Sequence, residues 1–404
     1  MNQFRNALYV HYQFFERDGS HVHTTNFAKE FSQLGEEQQF GFDVVSPELF
    51  SGVPGQRESW LGRLRSRLAP YYLSDIKTLL QQCLNFFKER RMLRERQVDI
   101  VLTRYNGDTI SIIWACRSLN IPVILEINAP EGEQRETHYY HVPAIQRLFS
   151  TRRVLKLCNG GFAVSGVLAR EFEQAIDGRI PVRAIHNGVD LEQFDPALYS
   201  VEEARRRFAV PEDAIVIGFV GSFAPWHGVG LLLEAFAELV KKGYPVHLLL
   251  VGQVRADAEQ AIARAKQSDI CDAVTFTGFV PAAEVAQCLA AMDISVLANT
   301  EYYCSPLKIF EYMAMQTAVV AVETDPVREV IVDQMHGLLF QKDSAAELQQ
   351  QLLRLLESAE LREQLGKAAR DRVLTEFSWR KNAEHVNELL NDVWQRQQRE
   401  TTTG

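Results

Sequence analysis

Residues 215–220 read Ile215-Val216-Ile217-Gly218-Phe219-Val220 and run straight into Gly221-Ser222-Phe223-Ala224-Pro225-Trp226-His227-Gly228. A continuous apolar run without alternation fits a strand buried on both faces, as in parallel sheets. After the glycine-bearing loop, residues 231–242 carry apolar positions at helical spacing. The order strand, glycine loop, helix predicts a βα unit. The same rhythm recurs on either side. Short runs rich in Val, Ile, Leu and Phe stand at 7–11, 100–103, 123–127, 161–164, 246–251, 274–276, 294–297 and 318–322. Helical segments at 256–266, 283–291 and 345–359 separate several of the later ones. This predicts an α/β fold with more strands than one small sheet holds, hence two parallel sheets.

Length and charge agree. At roughly 150 residues per domain, 404 residues make two or three domains. The formal net charge of −9 argues against a general nucleic-acid binder. The apolar fraction of 46% and charged fraction of 24% are those of a globular chain, not a disordered one. No two of the six cysteines lie within a few residues of each other, so no CxxC pair exists. Reduced thiols in a cytoplasmic protein are expected. The N-terminus lacks a small-residue cleavage site and is not read as a signal peptide. No apolar run approaches the ~18 residues of a membrane span. Any membrane contact would be at the surface.

The turn residues Asn187-Gly188-Val189-Asp190, a polar helical stretch at 201–208 and Pro211 mark a boundary. The expected domains are 1–195 and 196–376, followed by a helix within 377–404. Ser378 suits its N-cap, and Trp379, Val386, Leu389, Leu390 and Val393 form its apolar stripe.

Among the local motifs, Ser305-Pro306-Leu307-Lys308-Ile309-Phe310-Glu311-Tyr312-Met313-Ala314 carries the most chemistry. Ser305 suits an N-cap and Pro306 the first helical position. The free N–H groups of that first turn form an anion site, and Lys308 adds a cation. Together they fit a pyrophosphate. Glu311, one to two turns in, can accept hydrogen bonds from ribose hydroxyls. An ordinary capped helix with a solvated Lys and Glu has the same local sequence. The loop at 221–228 lacks GxGxxG and GxxxxGK[ST], which disfavours dinucleotide and Walker-type sites. Near the start, Arg17-Asp18-Gly19-Ser20-His21-Val22-His23 joins the first strand to a helix through Phe27 and Phe31. Such a loop faces the carboxyl ends of the strands, where ligands bind. His21 and His23 have the spacing of a strand pair and read as ordinary loop histidines. No HExxH or GxSxG occurs.

Taken in order, these pieces resemble the retaining glycosyltransferases of family 4. They are Gly221–Gly228, Ser305–Ala314, Arg328-Glu329-Val330-Ile331 with Gly337-Leu338-Leu339-Phe340, His186-Asn187-Gly188-Val189-Asp190, and Ser378-Trp379 with the final helix. The resemblance implies a GT-B fold: two Rossmann-like parallel-sheet domains facing a central cleft, with a C-terminal helix crossing back to the first. It implies a donor nucleotide-diphosphate sugar in the second domain and an acceptor in the first, with no metal and no other cofactor. The donor set it implies is Gly19, Ser20, Gly221, Ser222, His227, Gly252, Tyr303, Ser305, Pro306, Leu307, Lys308 and Glu311. The acceptor set is His21, Arg104, Tyr105 and Asn128. Lys308, Glu311, Asn128 and Glu126 are the expected catalytic residues. Three positions depart from the family. Tyr303 stands where a first glutamate is usual, Ser222 and His227 where an Arg and a Lys often stand, and Asn128 where many members have a histidine.

The expected activity is sugar transfer in polysaccharide, glycolipid or envelope-glycan synthesis. The alternatives are a sugar-nucleotide epimerase of the same fold, or a non-catalytic nucleotide-sugar binder. Residues 57–97 hold ten basic and four acidic residues, with Trp60, Leu61, Leu64 and Leu68 between arginines that include Arg63, Arg65 and Arg67. Such a segment either docks on the first domain or rests on an anionic membrane surface. The second option would place the protein peripherally on the inner membrane face.

Overall fold

The computed structural model describes residues 3–11, 19–45, 71–105, 110–130, 142–253 and 270–403. The helix expected at 256–266 and the basic residues 57–70 lie outside the described residues, as do Arg17 and Asp18. Two compact units emerge: residues 1–186 with 382–404, and residues 187–381.

The first unit is built on a six-stranded sheet, all parallel. Its elements are β1 (Asn6–Val10), α1 (Gly19–Gln38), β2 (Gly41–Val45), α2 (Tyr71–Glu95), β3 (Ile100–Arg104), α3 (Ile110–Ser118), β4 (Val123–Ile127), α4 (Pro143–Leu148), α5 (Thr151–Leu155), β5 (Gly160–Ala163), α6 (Gly166–Ala175) and β6 (Val182–Ala184). Their order is β2-β1-β3-β4-β5-β6, so the winding reverses between β1 and β3. β2 and β6 were not expected from the sequence. β2 carries Asp43 and exposed positions at one edge, and β6 has three residues at the other, so neither has a long apolar run.

The second unit repeats the plan with α7 (Val201–Arg207), β7 (Ile215–Val220), α8 (Val229–Lys241), β8 (Val246–Val251), β9 (Val274–Gly278), α9 (Val285–Ala290), β10 (Ile294–Leu297), α10 (Leu307–Ala314), β11 (Ala318–Val322), α11 (Asp325–Val330), β12 (Leu338–Phe340), α12 (Ala345–Glu357) and α13 (Ala359–Glu376). The sheet order β12-β11-β10-β7-β8-β9 is the doubly wound one, reversing between β7 and β10. Apolar clusters cover both faces. One includes Leu249, Leu297, Phe310 and Met313, and the other Phe219, Leu232, Phe236 and Leu248. That two-sided burial explains the unbroken apolar runs.

The final helix, α14 (Trp379–Thr403), is capped as expected: Ser378 Oγ accepts from the Lys381 N–H at 3.1 Å. Within the first unit its Val393 side chain faces Gly160 of β5, where a Cβ would come within 3.0 Å. Asn387 donates to Gln38, and Asn159 donates to Gln397, so α14 belongs to that unit's packing. No helix among the described residues is long and apolar enough to cross a membrane.

Candidate functional site

In the second unit the reversal point gathers the loops after β7 and β10. Ligands in such sheets bind outside the carboxyl ends of the strands at this place. The two loops touch: a Cβ on Gly228 would stand 2.8 Å from the Cβ of Asn299. Asn187 donates to the Ser305 carbonyl at 2.7 Å and so pins the second loop. Tyr312 ties α10 to the end of β7, its hydroxyl accepting from the Val220 N–H at 3.0 Å.

α10 begins one residue later than its sequence signals imply. Pro306, not Ser305, holds the N-cap position, in an extended conformation with no side-chain cap. The proline therefore lies before the helix instead of opening it, and Ser305 Oγ is left buried without a hydrogen-bond partner. Asn299 Oδ1, Thr324 Oγ1 and Lys308 Nζ share that condition. Thr324, three residues beyond the Leu297–Ala321 pairing of β10 with β11, precedes α11 without capping it. Buried polar groups are normally satisfied. Several orphans on neighbouring loops mark a place built for polar atoms from elsewhere.

Lys308 is central to it. Its Nζ lies 4.7 Å from the centroid of the Phe219 ring, on the aromatic face. Burial pulls its pKa down to about 8, against the opposing pull of Glu311. Glu311 is pushed up to about 7 by burial, with Lys308 opposing. The ammonium passes over Gly221, where a Cβ would meet it at 2.7 Å. Gly221 in turn lies under Gly252. With φ at +142°, a Cβ on Gly252 would stand 1.9 Å from the Gly221 carbonyl oxygen. Gly252→Ala should therefore strain the backbone and separate the ends of β7 and β8, costing roughly 3 kcal/mol or more. Thermal unfolding measures that loss, and unchanged stability would refute the close packing.

His227 closes its own loop, with Nδ1 against the Ser222 carbonyl and 3.5 Å from Ser222 Oγ. Tyr303 packs edge-to-face on the exposed Tyr302, their centroids 5.3 Å apart. Leu307 opens α10 beside Lys308.

The first unit gathers a second cluster, again at a reversal point. Glu126, fully buried at the end of β4, accepts from Tyr9 at 2.6 Å and from the Asn128 amide at 2.9 Å. His23 Nε2 stands 3.1 Å and Arg104 3.8 Å from the same carboxylate. Burial alone would raise the Glu126 pKa. His23, Arg104 and the Tyr9 hydroxyl together outweigh it and hold the carboxyl well below the usual range. A carboxylate so committed suits positioning its neighbours better than proton transfer near neutrality. The histidines lie inside α1, not in a loop, because the helix already starts at Gly19. Helical geometry turns His23 inward to Glu126 and leaves His21 half-buried. Sequence reasoning missed His23 and Tyr9. An apolar helix face interrupted by His23 was the available signal. Gly19 and Ser20 form the first turn of α1. Tyr105 donates its hydroxyl to the Phe149 carbonyl at 2.9 Å, toward the α4–α5 link.

Comparisons with known proteins place these units. Residues 17–193 match the model described as Glycosyltransferase Family 4, and residues 200–372 that described as Glycosyl transferases group 1. The 2-deoxystreptamine glucosyltransferase of Streptomyces kanamyceticus is 25% identical over 363 residues, 83% of this chain and 89% of that one. A phosphatidyl-myo-inositol mannosyltransferase of Mycobacterium tuberculosis is 30% identical, but the match spans only 58% of this chain and 60% of that protein. A solved glycosyltransferase from Rickettsia africae superposes with a TM-score of 0.71 at 18% identity, over 97% of this chain and 99% of that one. The paired Rossmann-like sheets are those of the GT-B fold. With one model on each half, reaching together from residue 17 to residue 372, the chain belongs to the family 4 and group 1 glycosyltransferases.

Proposed function

We propose that this glycosyltransferase takes its sugar from a nucleoside-diphosphate donor held on the second unit and passes it to an acceptor hydroxyl with retention of configuration. One observation carries the reading: a buried ammonium, Lys308 Nζ, without any hydrogen-bond acceptor, among the orphaned polar atoms at the doubly wound reversal point. A diphosphate supplies the missing acceptors. Its negative charge grows as the glycosidic bond breaks, and Lys308 with the first-turn amides of α10 stabilises it in place. Glu311 accepts hydrogen bonds from the ribose hydroxyls. Gly221 and Gly252 let backbone approach the phosphates. The acceptor hydroxyl attacks on the face the diphosphate leaves, and a phosphate oxygen takes its proton, so the residues need supply no strong base.

The acceptor lies on the first unit. Asn128, its amide nitrogen held by Glu126, turns its carbonyl oxygen to a sugar hydroxyl, and Arg104, 3.8 Å from the same carboxylate, and His21 are the further acceptor contacts of this reading. The product is a polysaccharide or glycolipid precursor. A thermal-shift panel of nucleoside diphosphates and their sugars tests the donor site. A ligand at 100 times its Kd adds about 2.7 kcal/mol of stability. The expected result is a clear shift with one nucleotide family, lost in Glu311→Ala. No shift with any nucleotide would sink the reading. Conversion of the sugar nucleotide to an isomer, without acceptor, would favour an epimerase.

A further inference from the structure

Helix α2 turns an apolar stripe to solvent. Ile76, Leu80, Leu84 and Phe87 follow one another at spacings that share a helix face, and they are 48%, 61%, 58% and 68% exposed. The rotation of the helix is fixed by polar anchors on its inner side. Buried Gln82 accepts from the Ser111 N–H at the start of α3 (3.1 Å), and buried Asp75 from the Val142 N–H (2.7 Å). Surface helices of globular domains show the opposite arrangement, with apolar residues inward and polar ones outward. Exposed cations, Lys77, Lys88, Arg91 and Arg94, border the stripe. Among the described residues of the exposed face the one acid is Glu95, which bonds Arg91 at 2.6 Å.

We propose that this face of α2 lies on an anionic lipid surface, with the four apolar side chains among the acyl chains and the cations at the phosphates. The charge pattern chooses this occupant over a second copy of the chain. Antiparallel pairing of two α2 helices would set Lys77 near the arginines of the other, and parallel pairing would set each cation beside its twin. A lipid surface accepts both the stripe and its border. The proposal stands on the geometry of α2 alone and is independent of the donor site.

Co-sedimentation of the full chain with phosphatidylcholine vesicles, with and without phosphatidylglycerol, tests it. The protein should bind only the anionic vesicles and leave them as salt rises. The double variant Leu84→Ser/Phe87→Ser should lose at least tenfold in binding while its melting temperature and nucleotide shift stay those of the parent. Lys77→Ser and Arg94→Ser should each lose about fivefold. Failure of the parent to bind anionic vesicles, or equal binding by the serine double variant, would overturn the proposal. So would a concentration-dependent dimer that the serine variant dissolves.

Discussion

Lys308→Met is expected to raise the melting temperature of the ligand-free protein while weakening its hold on a nucleoside diphosphate by about one to two orders of magnitude. The direction follows from the lowered pKa, about 8 against 10.5. The fold disfavours the charged form there despite the Phe219 face and Glu311. At one pKa unit per 1.36 kcal/mol, the penalty is on the order of 3 kcal/mol below pH 8. A methionine of similar length fills the space without it, and a gain of about 1–3 kcal/mol should follow. In a unit of this size that amounts to several degrees. Binding moves the other way. A charge-assisted hydrogen bond lost from the diphosphate removes about 1.5–3 kcal/mol, roughly 10- to 150-fold in affinity. The pH dependence has a definite sign. The folded parent binds fewer protons than the unfolded chain between about pH 8 and 10.5, so Lys308 makes stability rise with pH across that window. Diphosphate affinity should fall as pH rises above 8, where the amine is neutral. Calorimetry at several pH values checks both, and a destabilised variant with normal affinity would contradict the assignment.

The first unit should respond to Glu126→Ala with a large loss of stability. The substitution leaves the His23 ring, the Arg104 guanidinium and the Tyr9 hydroxyl facing an empty buried space. Removing one member of a buried charged network costs about 3–5 kcal/mol, roughly 10 °C for a unit of this length. Glu126→Gln, which keeps shape but not charge, should lose less. Because the carboxyl pKa is depressed, its stabilisation is fully present above the ordinary carboxylate range and fades as pH falls below that range toward the lowered pKa of the folded state. The acid limb of the unfolding curve should therefore be shallower in Glu126→Gln than in the parent. Identical acid limbs would show that the cluster contributes nothing through charge.

Much of this architecture was legible in the sequence because central parallel strands announce themselves. Runs such as 215–220 and 318–322 are apolar throughout since both faces are covered. Edge strands do not. β2 mixes Asp43 into its pattern, and β6 and β12 have three residues each, too few for periodicity to register. The donor motif was readable for a different reason: helix starts have side-chain signatures. Pro306 still misled by one residue, because a proline fits both just inside a helix and just before it. What stayed hidden was whatever depends on long-range pairing. Nothing near Tyr9, His23 or Arg104 in the chain points to Glu126, more than twenty residues from the nearest of them. Asn299 and Thr324 look like ordinary loop residues until the absence of partners for their buried oxygens is seen.

The return of residues 382–404 to the first unit sets an order of events during synthesis. Strand β5 is made long before the helix whose Val393 lies against its Gly160. The half of the molecule translated first is thus completed by the residues translated last. On the ribosome β5 must wait without the helix that packs on it until the whole second unit has emerged. A chain cut short before residue 382 would lose no strand of either sheet, yet it would leave the older half permanently unfinished.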